Sequence, residues 1–174
     1  MPLLAPRSVH ELLNYKLNRL MASSGAMITR LCEGRYGITR REWRLICLLA
    51  DAGPMSPSDL AAQAHLERPR VSKHITDLVE KRLLARIKSD TDKRRALVSV
   101  THKGLRLYQE LFPQSAELSR QVLRTLSAAE VAAFDVALDK LTHQAELLAK
   151  SGVVDAKADR RHGGSRRVSS RSFS

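Results

Sequence analysis

Apolar positions in the first part of the chain repeat with a helical period. Within residues 8–33, Leu13, Leu17, Leu20, Ser24, Met27 and Leu31 recur at alternating spacings of four and three, and Leu12, Met21 and Ile28 form a second stripe beside them. A helix of that length spans ~39 Å and needs partners on two sides, its own core on one and a second subunit on the other. Gly34 and Gly37 are expected to break it. Thr39-Arg40-Arg41-Glu42 then reads as a capping box that opens a second helix through Trp43, Leu45, Ile46, Leu48 and Leu49, ended by Gly53-Pro54. Ser56 as N-cap, with Pro57 at the first helical position, starts a short helix to about His65. After a tight turn a third helix begins near Glu67, with Pro69 in its first turn, where a missing N–H does little harm.

Between residues 84 and 100 the period changes from helical to alternating. Ile87 is flanked by polar or small residues, and Ala96, Val98 and Val100 alternate with Arg95, Leu97 and Ser99, so two short strands are predicted around a polar, basic turn at 89–95. Thr101 caps a long helix through Leu105, Tyr108, Leu111 and Phe112, which Pro113 should kink before it resumes through Leu118, Val122 and Leu126. Ser127-Ala128-Ala129-Glu130 is another capping box, followed by a heptad-spaced stripe of Val131, Phe134, Leu138, Leu141, Ala145 and Leu148. Two such seams at opposite ends of the sequence predict a helical dimerisation region. The expected class is mainly α with a small β-hairpin wing: a winged helix-turn-helix at residues 39–100, flanked by dimerisation helices at 8–38 and 101–150. Residues 151–174 are rich in Gly, Ser and Arg and read as a disordered basic tail.

Charge sharpens this picture. The formal net charge is +12 and the isoelectric point about 10.4, which points to a polyanionic partner, nucleic acid or an anionic membrane surface. Beyond residue 154, six basic residues against two acidic ones give the tail +4, so the body keeps +8 of its own. The N-terminal apolar stretch is too short for a signal peptide and no long apolar run exists, so the chain is expected in the cytoplasm with no membrane partner. Cys32 and Cys47 lie in apolar helical registers without metal-ligand spacing. No nucleophile elbow, phosphate loop, zinc-protease helix or paired-cysteine zinc motif occurs, so no enzyme activity, cofactor or metal is expected.

The pattern between residues 59 and 83 is that of a helix-turn-helix. Leu60, Ala61 and Ala64 form the apolar face of its first helix, Leu66 lies in the turn, and Val71, Ile75, Leu78 and Val79 seat the second. Projection at 100° per residue turns Arg70, Lys73 and Thr76 the opposite way, flanked by Ser72 and Asp77. A helix fits the major groove, where arginine can hold guanine bidentately, and Arg70 is the first choice for a base contact. The positive helix N-terminus favours phosphate near Arg68 and Arg70. Lys93, Arg94 and Arg95 at the hairpin tip can reach a minor groove, while Asp92 reads as a turn residue or a partner for Arg86 or Arg94.

This arrangement resembles the MarR family of winged helix-turn-helix regulators over nearly all of residues 9–149. Leu66, Val71-Ser72 and Leu78, then Asp92-Lys93-Arg94-Arg95, then Val100-Thr101-His102-Lys103-Gly104 carry the resemblance. It implies a homodimer built from the terminal helices, on double-stranded DNA with an inverted-repeat operator, with Arg70, Ser72, Lys73 and Arg94 at DNA-contacting positions. One departure is Arg82, where the family often has glycine at the end of the recognition helix. The resemblance also implies release from DNA by a small, often aromatic, acidic molecule in a cleft between the dimer helices and the DNA-binding lobe. His10, Asn18 and Arg19 on the first helix, and Arg44 beside Trp43 on the second, are the candidate contacts for such an aromatic or heteroaromatic acid. The competing reading places Trp43 in the core and Arg19 in an intersubunit ion pair. Two other functions stand beside this one. A cysteine-based redox sensor would use Cys32, near a helix end and beside Arg35, although the cysteine that the peroxide-sensing branch carries early in its first helix is missing. A non-specific architectural DNA binder would need only the charge.

Overall fold

The computed structural model describes residues 2–88 and 96–153. After a 3-10 turn at Val9–Glu11 come α1 (Leu13–Tyr36), α2 (Arg40–Ala52), α3 (Pro57–Gln63), α4 (Arg68–Glu80), β1 (Leu84–Lys88), β2 (Ala96–Val100), α5 (His102–Leu123) and α6 (Ala128–Ser151). The mainly helical class with one antiparallel hairpin is the one the pattern predicts. The chain divides into two compact units, Met1–Thr125 and Leu126–Ser174, and α6 is the described element of the second.

The capping signals do what their chemistry requires. Thr39 Oγ1 accepts the Glu42 N–H while the Glu42 carboxylate accepts the Thr39 N–H, and Ser127 and Glu130 repeat this reciprocal pair at α6. Ser56 caps α3 with Pro57 at its start, and Thr101 Oγ1 accepts the Gly104 N–H at the start of α5. Each satisfies an N-terminal donor that would otherwise lack a partner, worth about 1 kcal/mol.

Three boundaries differ from the sequence expectation. The first helix begins at Leu13, because Leu12 is extended (φ −66°, ψ 135°) and separates it from the 3-10 turn, which the Glu11 carboxylate closes by accepting the Arg7 N–H at 2.6 Å. Gly34 does not break α1; a glycine inside a helix is disfavoured by only about 1 kcal/mol, and burial of Cys32 on the neighbouring turn, with Leu31 and Tyr36 packed against the core, outweighs that. The stop falls at Gly37, which is left-handed at φ 63°. Finally, α5 runs as one helix through Pro113 and ends at Leu123, short of Leu126.

In the first unit, α2, α3, α4 and the hairpin close around Leu45, Ile46, Leu49, Leu60, Ile75, Leu78, Leu84 and Val98, all buried. Leu111 of α5 and Cys32 of α1 extend the same cluster. The hairpin pairs Leu84 with Val100 through to Lys88 with Ala96. Met55, after α2, adds a bridge to Val98 with N–H···O bonds of 3.1 and 2.9 Å, tying the hairpin edge to the helices.

Gly104 is required by packing. A Cβ there would overlap the Leu83 carbonyl, so only glycine lets the first turn of α5 approach the end of the recognition segment. Thr101 completes the joint by donating its hydroxyl to the Arg82 carbonyl at 2.8 Å, and Lys103 Nζ donates to the Lys81 carbonyl at 3.0 Å. The Thr-x-x-Gly start of α5 therefore clamps the C-terminus of α4.

Candidate nucleic-acid interface

The joint between α3 and α4 has the geometry of a helix-turn-helix. His65 is left-handed (φ 50°); its N–H donates to the Ala62 carbonyl at 3.1 Å, and the Leu66 N–H reaches back to Ala61 at 3.0 Å. This pair of bonds is the Schellman closure of a helix C-terminus. The same closure recurs after α4: Arg82 is left-handed (φ 59°), with Arg82 N–H to Val79 at 2.9 Å and Leu83 N–H to Leu78 at 2.9 Å. Arg82 thus takes the conformation that glycine would take more readily, and the turn keeps its form.

On α4, Val71, Ile75 and Leu78 are fully buried, whereas Arg68, Ser72, Lys73 and Thr76 are exposed and Arg70 is half-buried. The apolar and polar faces separate as projected. Thr76 has an additional task inside the protein, since its hydroxyl donates to the Ser72 carbonyl at 3.1 Å and accepts from Arg86 Nη2 at 3.2 Å. Arg86 of β1 thereby braces the hairpin against the recognition helix. Lys93, Arg94, Arg95 and Asp92 lie outside the described residues.

Beneath α4 lies an ionic lock that the sequence pattern did not reveal. Glu42 is 2% exposed; one carboxylate oxygen accepts the Thr39 N–H at 2.6 Å and the other meets Lys81 Nζ at 3.0 Å, while Lys81 also donates to the Gly37 carbonyl at 3.0 Å. Burial pushes the Glu42 pKa up, but the Thr39 N–H and the Lys81 ammonium more than offset that and hold it below its ordinary value. His74 Nε2 is buried beside this lock with no hydrogen-bond partner among the described residues, and burial lowers its pKa from the ordinary value. Glu42, His74 and Asp77 bring their ligand atoms within 4.8 Å of one another. The Glu42 carboxylate ties Thr39 at the start of α2 to Lys81 at the end of α4, which locks the two helices together. Its signal in the sequence was the acid of the capping box, which reads equally well as a cap alone.

The candidate effector residues do not converge. Trp43 is 6% exposed, stacked at 5.9 Å on Tyr108 within the core, so it cannot offer an open aromatic wall. His10 and Arg19 line a groove on the first helix, and Asn18 lines none of the described cavities. Arg44 instead borders a separate, largely apolar cavity of about 350 Å³ between α1, α2 and α5, with Met21, Ile28, Leu118 and Val122 among its walls. Arg40, one helical turn before Arg44, borders the same cavity. A Cβ on Gly25 would overlap the Arg40 guanidinium, so glycine at the α1–α2 crossing is what lets this cation lie there. The i, i+4 spacing of Arg40 and Arg44 was present in the sequence and would have found it. Arg44 Nη1 also donates to the Ala64 carbonyl at 2.9 Å, at the end of α3.

Neither thiol suits redox sensing. Cys32 is fully buried, and burial, with Glu33 adding to it, pushes its pKa up to about 11 against the opposing pull of Arg40. Burial and the raised pKa weigh against the redox alternative at Cys32, which packs as a core residue despite its neighbour Arg35. Burial likewise raises Cys47 to about 12.

A three-helix unit with a Schellman-turned helix-turn-helix, a braced hairpin and a polar recognition face defines a winged helix-turn-helix regulator of transcription. Residues 36–95 match the profile described as MarR family. The chain is 39% identical over 74 residues to the HTH-type transcriptional regulator FarR of Neisseria gonorrhoeae, covering 42% of this chain and about half (51%) of that one. It is 30% identical over 112 residues to the homoprotocatechuate degradative operon repressor of Escherichia coli, covering 64% of this chain and 71% of that protein. Among solved structures, the fold matches Bordetella bronchiseptica BpsR, reported for the regulation of its DNA binding by 6-hydroxynicotinic acid, with TM-score 0.70 and 25% identity over 79% of this chain and 98% of that one. The chain belongs to the MarR family of transcriptional regulators. Among the described residues, no helix is long and apolar enough to cross a membrane.

Proposed function

We propose that this regulator is a homodimeric repressor of the cytoplasm that binds an inverted-repeat operator and leaves it on binding an aromatic or heteroaromatic carboxylate. The observation that carries the DNA half is the exposed face of α4, where Lys73 and Thr76 are unburied on the side opposite Val71, Ile75 and Leu78, with Ser72 exposed at its flank and Arg68 exposed in the first turn. Arg70 and Ser72 read base edges, Arg68 and Lys73 take phosphates, Thr76 contributes chiefly by holding the hairpin, and Lys93, Arg94 and Arg95 enter the minor groove.

Dimerisation is supported by unpartnered apolar surface at both ends of the chain. Val9, Leu12, Leu20 and Met21 are exposed at the start, and α6 by itself buries none of its residues while exposing Phe134, Val136, Leu141 and Leu148. A second copy is the simplest cover for two such seams.

The apolar cavity with Arg40 and Arg44 suits a flat acid: apolar walls for the ring and a guanidinium for the carboxylate. The similar repressor of a homoprotocatechuate operon and the BpsR response to 6-hydroxynicotinic acid support an acid of that class. His10 and Arg19 would join the site only from a second subunit or a neighbouring groove. The test is operator binding and melting temperature with a panel of hydroxylated benzoic, phenylacetic and nicotinic acids, each beside its neutral amide. At least one acid is expected to weaken operator binding ~5- to 150-fold while raising the melting temperature of the free protein, its amide doing neither. A panel that moves neither quantity contradicts the effector reading and leaves the DNA reading standing.

A further inference from the structure

A second hollow lies on the other edge of α1, between that helix, the start of α2 and the turn ahead of α4. Its volume is about 670 Å³, and its described lining includes Arg30, Arg40, Arg41 and Arg44 against one carboxylate, Glu33. Arg30, Arg40 and Arg41 have no hydrogen bond or ion pair among the described residues, and Arg30 and Arg41 are exposed. Four guanidinium groups against one carboxylate leave an excess of positive charge, and such a concave cluster gives a focused positive potential. Two observations fix which way it faces. Leu66, in the turn that leads into α4, forms part of the wall. Arg41 adjoins Glu42 at the start of α2, and the Glu42 carboxylate lies within 4.8 Å of a His74 ring nitrogen on α4, so the groove borders the recognition helix.

We propose that this α1–α2 groove is an additional DNA-backbone contact, taking the phosphates that flank the segment read by α4. Guanidinium matches phosphate bidentately, and a backbone contact placed beside the recognition helix fixes its register without reading sequence. The four arginines divide the labour. Arg40 and Arg44 also border the apolar cavity, whereas Arg30 and Arg41 line the groove and not that cavity, so Arg30 and Arg41 test the DNA contact without disturbing the effector site. This inference rests on α4 entering the DNA groove, which the controls examine separately.

The experiment measures affinity for the operator and for random duplex across a salt series, in the wild type, Arg30→Gln/Arg41→Gln, Glu33→Gln and Arg70→Ala. The double variant should lower the log–log salt slope by ~2 and weaken both duplexes by ~10-fold or more, with the operator preference unchanged. Glu33→Gln should tighten both by ~2-fold, an effect in the opposite direction that no folding defect would imitate. An unchanged slope in the double variant, with Arg70→Ala still reducing operator preference, overturns the groove contact and spares α4. Should Arg70→Ala leave the preference intact, the α4 reading itself fails. Added pyrophosphate provides the remaining arm: a melting temperature that it raises only when Arg30 and Arg41 are present, alongside an unchanged DNA slope, would assign the groove to a small polyanion and not to DNA.

Discussion

At the residue scale, the recognition helix is bracketed by two left-handed residues that are not glycine, His65 at φ 50° and Arg82 at φ 59°. A side chain in that region is disfavoured by on the order of 1 kcal/mol relative to glycine, although glycine gives part of this back through its freer unfolded state. Arg82→Gly is therefore expected to raise the unfolding free energy by ~0.5–1 kcal/mol in chemical denaturation and to leave operator affinity within about twofold; a loss of stability would mean that the Arg82 side chain stabilises the clamp on α5. The conformation at Arg82 could be anticipated only through the family resemblance, in which glycine often ends the recognition helix before Leu83-Leu84, and arginine there led to the expectation of an altered turn. That at His65 could not be anticipated, since nothing in Ala64-His65-Leu66 distinguishes a left-handed turn from one more helical residue until the bonds to Ala61 and Ala62 are seen.

At the scale of elements, helix starts were the most readable features, because Thr39, Ser56, Thr101 and Ser127 each carry their capping chemistry within three residues. Features joining distant segments were hidden. The Glu42–Lys81 lock spans 39 residues and the Arg86–Thr76 brace connects two elements, and neither has a local signature. Trp43 illustrates the ambiguity of position: beside Arg44 it resembled half of an aromatic-acid site, yet adjacent residues on a helix point 100° apart, and Trp43 turned to the core while Arg44 turned to the cavity. The crossing of α1 over α2 carries a prediction of its own. Gly25→Ala brings a methyl group against the far end of the flexible Arg40 side chain, so the guanidinium must swing aside and the loss of stability should stay below about 1 kcal/mol. In an Arg40→Ala background the same change should be neutral or stabilising, because alanine is the better helix former. Equal losses in both backgrounds, measured as a double-mutant cycle, would show that Gly25 serves some purpose other than admitting Arg40.

For the molecule as a whole, the cavity and the turn are in contact through one side chain. Arg44 borders the α1–α2–α5 cavity and donates to the Ala64 carbonyl at the end of α3, so a carboxylate that draws this guanidinium also acts on the joint ahead of α4. Linkage makes the effect mutual: an acid that weakens operator binding must itself bind less tightly to the DNA-bound protein. The central claim, that α4 reads base sequence in a symmetric pair, is tested most directly by selecting bound fragments from a random duplex library with the wild type and Arg70→Ala in parallel. The account predicts an inverted repeat for the wild type, with half-sites about one helical turn apart, and for Arg70→Ala a relaxed preference at one position in each half-site. Recovery of the same motif by both proteins, or of no motif by the wild type, would contradict it.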